Sequence, residues 1–204
     1  MIDFLFSQYY TFEPIDIFIE IVAILFGLVS VLFAKKNNIL VFPTGIISTI
    51  LFVYLLNKWG LVGDMLINGY YTTMSIYGWY VWSRKKNDQP EFPITTIKTK
   101  EIYYGIIIFM ITIGFVVVVY KYFDKFTHWT AYVDTFTTGI FFVGMWLMAK
   151  RKLENWILWI IGDLVSVPLY FYKGYTFTSI QYLIFTVIAF YGYQEWKKNL
   201  VKKI

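Results

Sequence analysis

Residues 60–82, GLVGDMLINGYYTTMSIYGWYVW, and residues 174–196, GYTFTSIQYLIFTVIAFYGYQEW, run in register at a constant offset of 114 residues. Gly60 matches Gly174, Thr72 matches Thr186, Tyr77-Gly78 matches Tyr191-Gly192 and Trp82 matches Trp196. One connecting residue earlier the offset becomes 115, and Ala34-Lys35 matches Ala149-Lys150. Each stretch holds an apolar run of about 20 residues, the length a helix needs to cross a ~30 Å hydrocarbon core. Working outward, five further runs of that kind flank them. The expected spans are Ile15–Ala34, Ile39–Leu56, Gly63–Trp82, Ile102–Tyr120, Trp129–Met148, Trp156–Tyr172 and Tyr175–Gln194. The first three and the last three then read as two copies of one unit, joined by the fourth. An odd linker span keeps both copies in the same orientation, which makes this a parallel repeat. The competing explanation is coincidence between two aromatic-rich spans.

The predicted fold is therefore an all-α integral membrane protein with seven transmembrane helices in a three-plus-one-plus-three arrangement. Its expected organisation is a short outer N-terminus (1–14), a first three-helix unit (15–82) and a connecting region (83–128). A second unit (129–196) and a basic tail (197–204) follow. Seven spans put the termini on opposite faces, and the basic residues choose between the two orientations. With the N-terminus outside, the inner segments hold Lys35, Lys36, Arg84, Lys85, Lys86, Lys98, Lys100, Lys150, Arg151, Lys152, Lys197, Lys198, Lys202 and Lys203. The outer segments hold only Lys58, Lys121, Lys125 and Lys173. That asymmetry predicts N-out, C-in by the positive-inside rule.

Composition agrees. Of the 204 residues 58% are hydrophobic and 15% charged, against roughly 25% charged in soluble domains. The mean hydropathy is +0.58. Aromatic residues make up 23%, with Trp and Tyr concentrated near the ends of the runs, as in interfacial belts. The absence of cysteine excludes disulfide and thiol chemistry. The net charge of +5 sits in short loops between apolar runs and does not suggest nucleic-acid binding. The first sixteen residues carry Asp3, Glu13 and Asp16 but no Lys or Arg, unlike a cleavable signal peptide.

Parallel repeats are a transporter design with the substrate near midplane between the halves, so polar groups inside the spans become candidate ligands. Ionisable side chains there are costly and usually face a cavity or a partner. Asp163 lies near the middle of the sixth span, with Trp159 four residues before it and Trp156 seven before it, on one helical face. A carboxylate flanked by two indoles suits a flat organic cation, through charge and cation–π contact. The alternative is a buried Asp bonded to a neighbouring helix, with the Trp residues merely packing. Asp134, in the first third of the fifth span, either lines the same cavity or joins helices. Asn68 and Thr72, one turn apart in the third span, either bind ligand or glue helices. Asp64 and Gln181 fall near span ends, at wet interfacial positions. Pro43 and Pro168 are expected to kink their helices. His128, the single histidine, falls in an outer loop and does not make a metal site. Zinc-protease, phosphate-loop and nucleophile-elbow motifs are absent, and no cofactor is implied. A retinal pigment needs a lysine in the last span, and Tyr175–Gln194 has none.

The stretch Glu154-Asn155-Trp156-Ile157-Leu158-Trp159-Ile160-Ile161-Gly162-Asp163 resembles the Trp-x-x-Trp-x-x-x-Asn/Asp signature of the PnuC-type vitamin transporters. The third-span ending Ile76-Tyr77-Gly78-Trp79-Tyr80-Val81-Trp82 and the last span from Gln181-Tyr182 to Tyr191-Gly192 are similar to that family too. The resemblance covers nearly the whole chain. It implies a three-plus-one-plus-three fold similar to the sugar-carrying SWEET proteins. The implied activity is facilitated diffusion of an unphosphorylated vitamin precursor across the inner membrane, with trapping by a cytoplasmic kinase. Nicotinamide riboside, with its flat pyridinium cation, is the best-known substrate; thiamin, riboflavin and deoxynucleosides are assigned to relatives. The implied site residues are Trp156, Trp159 and Asp163 with Asn68, and Thr72 and Asp134 are the further candidates. Nicotinamide riboside members carry Asn at the position of Asp163 and Gln at that of Asn68, so thiamin, another cation, stands as the alternative substrate. A sugar carrier, a non-transporting receptor and a membrane-embedded enzyme are the remaining classes. Homo-oligomers and monomers would look alike in this sequence.

Overall fold

The structure, a computed structural model, describes residues 13–60, 62–86, 89–174 and 176–201. Asp3 in the N-terminal segment, Tyr175 at the start of the last expected span, and the tail lysines Lys202 and Lys203 lie outside the described residues. Seven long helices fill the rest: α1 Pro14–Lys35, α2 Val41–Lys58, α3 Val62–Ser83, α4 Thr99–Tyr122, α5 Thr130–Ala149, α6 Asn155–Tyr172 and α7 Thr176–Val201. A small hairpin, β1 Lys85–Lys86 paired with β2 Gln89–Pro90, lies between α3 and α4.

Helix ends fall within three residues of the expected spans, with one exception. Helix α7 runs to Val201 rather than Gln194. Glu195, Lys197 and Lys198 are too polar to belong to a span, yet the helix continues through them, with Lys198 3.6 Å from Glu195 one turn away. Pro43 also departs from expectation. It sits in the first turn of α2, where an amide N–H has no intrahelical acceptor and proline costs little. Pro168 is interior to α6.

Five helices, α1, α2, α4, α5 and α6, are long and apolar enough to cross a membrane. Helices α3 and α7 carry Asp64, Asn68 and Gln181, and their many Tyr residues add little to hydropathy. Packing is nevertheless shared by all seven. Helix α2 lies against both α1 and α3, and α6 lies against both α5 and α7. Contacts of α1 with α7 and of α3 with α5 close the six into a ring, with α4 applied to α5. Much of α4 is bare: Ile106, Met110, Ile111 and Val118 are all exposed. An apolar face of that extent belongs in lipid rather than water.

At one end the first three helices meet the last three through one interaction made twice. The indole N–H of Trp82, near the end of α3, donates to the carbonyl of Ala149 at the end of α5, 3.1 Å away. The indole N–H of Trp196 in α7 donates to the carbonyl of Ala34 at the end of α1, 3.0 Å away. These are the residues that recur at offsets of 114 and 115. The two rings lie 5.9 Å apart and all four residues are buried. The recurrence extends to the neighbours. Phe42 meets Trp82 edge-on at 4.9 Å, and Trp156 meets Trp196 edge-on at 5.6 Å. Gly78 lies against the Phe42 ring and Gly192 against the Trp156 ring, so closely that a Cβ on either would run into the aromatic atoms. Asn37 and Arg151, in the connections after α1 and α5, share a left-handed backbone with φ of 50° and 53°.

The connection between α3 and α4 docks beneath the second half at this same end. Thr95 exchanges backbone hydrogen bonds with Arg151 and Leu153 at 3.1 and 2.9 Å. Lys152 reaches Glu101 at 2.9 Å. Arg151 places its guanidinium 4.2 Å over the Trp82 ring and donates to the Phe92 carbonyl. Burial pulls that guanidinium down to about 10, far enough above neutrality to keep the cation in place.

At the opposite end each half carries its own ion pair. Lys58, closing α2, meets Asp16 of α1 at 2.8 Å. Lys173, just past α6, meets Asp134 of α5. Both tie the first helix of a half to its second.

Two outcomes follow for stability. Trp196→Phe removes one joining hydrogen bond and leaves the buried Ala34 carbonyl with less to satisfy it. It should cost about 1–3 kcal/mol, seen as a lower unfolding midpoint in detergent, and Trp82→Phe should act alike; an unchanged midpoint would show that the bond contributes nothing. For Lys173 and Asp134, a double-mutant cycle with Lys173→Met and Asp134→Asn should return a coupling of about 1–3 kcal/mol. Additive losses would mean that the pair is merely adjacent.

Candidate functional site

A cavity of about 210 Å³ opens between the halves, bordered at one end by Ala34, Met148 and Trp156, next to the tryptophan pair. Its two walls differ in chemistry. The second half contributes Trp156, Trp159 and Asp163 from α6, together with Phe185 and Ala189 from α7. Their spacing of three and four residues turns all three α6 side chains to one face, and α6 is held by α5 and α7 on either side. Trp159 stacks on Phe141 at 5.3 Å, and Phe141 stacks in turn on Tyr182, so the ring is fixed from behind.

Asp163 is 2% exposed and has no hydrogen bond or ion pair with any described residue. The hydroxyls of Tyr71 and Tyr182 lie within electrostatic range of it. The indole N–H of Trp156 is likewise buried and unpartnered among the described residues. A carboxylate and an N–H left without protein partners at the edge of a cavity are suited to a ligand that brings a positive charge and an acceptor, since buried polar groups otherwise cost about 1–3 kcal/mol each.

The first half presents a wall of another kind: Gly27 and Ser30 from α1, Gly45, Ser48 and Thr49 from α2, and Tyr71 and Ser75 from α3. None of these was singled out from the sequence. A signal was there to be used. Subtracting 114 from Trp156, Trp159 and Asp163 gives Phe42, Gly45 and Thr49, of which Gly45 and Thr49 do line the cavity.

The other expected residues fall elsewhere. The Asn68 amide donates to the Asp64 carbonyl within α3, at 3.0 Å, and does not line the cavity. Thr72 sits one layer behind the wall, with its hydroxyl 2.7 Å from that of Thr49. Asp134 belongs to a second cavity of about 540 Å³ at the ion-pair end, lined also by Asp64, Tyr120, His128, Tyr170 and Lys173. His128 there stacks against Tyr172. Among the described residues no cluster of three metal-ligating side chains occurs.

The chain is 25% identical to the nicotinamide riboside transporter PnuC of Escherichia coli (strain K12), over 87% of this chain and 84% of that one. It is 25% identical to a protein of the same name from Neisseria mucosa, over 95% of this chain and 76% of the other. It is 27% identical to the riboflavin/roseoflavin transporter RibM of Streptomyces davaonensis, over 60% of this chain and 58% of that one. The crystal structure of the vitamin B3 transporter PnuC superposes with a TM-score of 0.69 at 21% identity, covering 98% of this chain and 90% of the other, which makes the fold the same. Residues 17–198 match the nicotinamide mononucleotide transporter family. The chain, a multi-pass membrane protein by its apolar helices and a transporter rather than an enzyme by its relatives, belongs to that family.

Proposed function

We propose that this chain carries nicotinamide riboside into the cell by facilitated diffusion across the inner membrane, the vitamin then being trapped by a cytoplasmic kinase. The observation that carries the reading is the face of α6. Trp156 and Trp159 offer ring surfaces and Asp163 a carboxylate without a protein partner, all on one buried cavity between two halves of the chain. A flat pyridinium cation matches that set. Two relatives whose names include nicotinamide riboside, matched over most of their length, support the same substrate.

The accompanying architecture is a parallel duplication, residues 15–82 and 129–196, with α4 in the linking region 83–128. The recurrence of the Trp82 and Trp196 hydrogen bonds supports it, because both bonds lie at one end of the ring of helices. The excess of basic residues in the same connections supports an N-out, C-in orientation. Substrate would then enter from the ion-pair end, pass the cavity that holds Asp134, and leave past the tryptophan pair as the halves rock. Thr72 acts in this scheme from behind the first-half wall, through Thr49, while the Asn68 amide is spent on the Asp64 carbonyl of its own helix.

Thiamin is the second reading, and Asp163 favours it: an ionised carboxylate matches an aminopyrimidine donor as well as a ring cation. Calorimetry of the purified protein with both vitamins separates the two. Tight binding of nicotinamide riboside alone supports the first reading, and tight binding of thiamin alone replaces it. Asp163→Asn leaves both indoles to hold the pyridinium ring and installs the residue that the resemblance gives nicotinamide riboside members, so it should leave that affinity largely intact, but it should weaken thiamin by about 1–3 kcal/mol if thiamin pairs with the carboxylate. Trp159→Ala should weaken whichever vitamin binds by about 1–2 kcal/mol; unchanged affinity would remove Trp159 from the site. For the transport mode, vesicles lacking kinase should fill only to the outside concentration. Accumulation beyond it, lost on adding an uncoupler, would show ion coupling instead.

A further inference from the structure

The first-half wall of the cavity carries an assignment of its own. Ser75 is 4% exposed, lines the cavity, and makes no hydrogen bond to any described residue. That is unusual for its setting. Hydroxyls within helices commonly donate back to a carbonyl one turn earlier, and in this chain Thr44, Thr49, Thr72 and Thr73 all do so. Ser30 and Ser48, which line the same cavity, have spent their protons differently. Ser30 donates across to the Val41 carbonyl and Ser48 to the Ala23 carbonyl, each at 2.7 Å. What these two show the cavity is therefore lone pairs only.

The hydroxyls also converge. A side chain begun at Gly45 would meet Ser30 Oγ at 3.0 Å and Ser75 Oγ at 3.6 Å, and one begun at Gly27 would meet Ser48 Oγ at 3.0 Å. Gly45 thus brings the Ser30 and Ser75 hydroxyls to one spot on the wall, while Ser48 packs on Gly27 elsewhere along the same wall. The set holds two acceptors and one hydroxyl free to donate or accept, with no charge among them. A cation gains little there, whereas neighbouring hydroxyls of a sugar, each with one proton to give and lone pairs to offer, match it group for group.

We propose that Ser75, flanked by Ser30 and Ser48, is the subsite for the hydroxylated part of the substrate, set against the aromatic and acidic wall that takes its ring. The assignment rests on the reading of the cavity as a nicotinamide riboside site, and fixes which way round the molecule lies: ring toward α6, ribose toward the seam of α1, α2 and α3. It makes Ser75 a determinant of specificity for nucleosides over bare ring cations.

The test is calorimetry of the full chain with nicotinamide riboside and with 1-methylnicotinamide, which keeps the pyridinium ring and lacks the sugar. Ser75→Ala should weaken the riboside about tenfold and leave 1-methylnicotinamide within twofold. Ser75→Thr, which keeps the hydroxyl, should retain the wild-type preference. Without ligand, Ser75→Ala should melt no lower than wild type, because it deletes a hydroxyl with no protein partner. Wild-type binding of the riboside with no change in Ser75→Ala would overturn the subsite alone, and so would an equal loss for both ligands. A wild-type protein that binds neither ligand would overturn the reading of the cavity, and the subsite with it.

Discussion

A carbonyl in the last turn of a helix has no partner within that helix, and a hydrocarbon environment supplies no water to stand in. Ala34 and Ala149 both sit at such an end. Each receives the N–H of a tryptophan from across the bundle, at Ala34 alongside the N–H of Asn37 in its own turn, so two helix-end carbonyls become points at which the first three helices meet the last three. The arrangement of neighbours follows from it. For Trp82 and Trp196 to reach across, Phe42 and Trp156 must stand edge-on beside them, and for those rings to fit, residues 78 and 192 must be glycine. The sharp connections after α1 and α5, with their left-handed Asn37 and Arg151, return the chain in time to place those rings. Arg151 then lies over Trp82 and anchors the connection to α4.

The two ends of the bundle are held by different physics. At the tryptophan end the bonds run between halves, are buried, and go to backbone atoms. At the other end the Lys58–Asp16 and Lys173–Asp134 pairs run within each half. Between these ends Tyr70 of α3 also donates to the Phe142 carbonyl of α5, at 2.9 Å, and stacks on the Phe142 ring, so the two groups of helices are tied along the bundle as well as at the tryptophan pair. The cavity lies beside the tryptophan pair, with walls drawn from both groups of helices.

The sequence made much of this legible, because the relevant signals were local or periodic. Apolar run length placed every helix end but the last to within three residues, and exact recurrence singled out Trp82, Trp196, Ala34 and Ala149 before any contact was known. The α6 face was readable because Trp156, Trp159 and Asp163 lie on one helix, where spacing alone decides who shares a face. The opposite wall was not, since Ser30, Gly45, Ser48 and Ser75 come from three helices and are individually ordinary. Only their convergence gives them meaning, and convergence is a property of packing. Asp134 illustrates the converse. An acidic residue within a span advertises a partner, but nothing local says whether that partner is a ligand or, as here, Lys173. Pro43 was misjudged for a similar reason, because two residues of shift in a helix start turn a kink into a first turn.

A chain built of two matching halves tends to give its central space two matching walls, and a molecule lying there would then have two equivalent ways to sit. The pair of positions 45 and 159 prevents this. One is glycine and the other tryptophan, and at the next paired positions Thr49 stands where Asp163 does. A second indole in place of Gly45 would crowd the cavity, and a second glycine in place of Trp159 would leave nothing to grip. The recurrence holds at the residues that bond the helices together and lapses at those that line the cavity, so the two walls offer different chemistry to whatever lies between them.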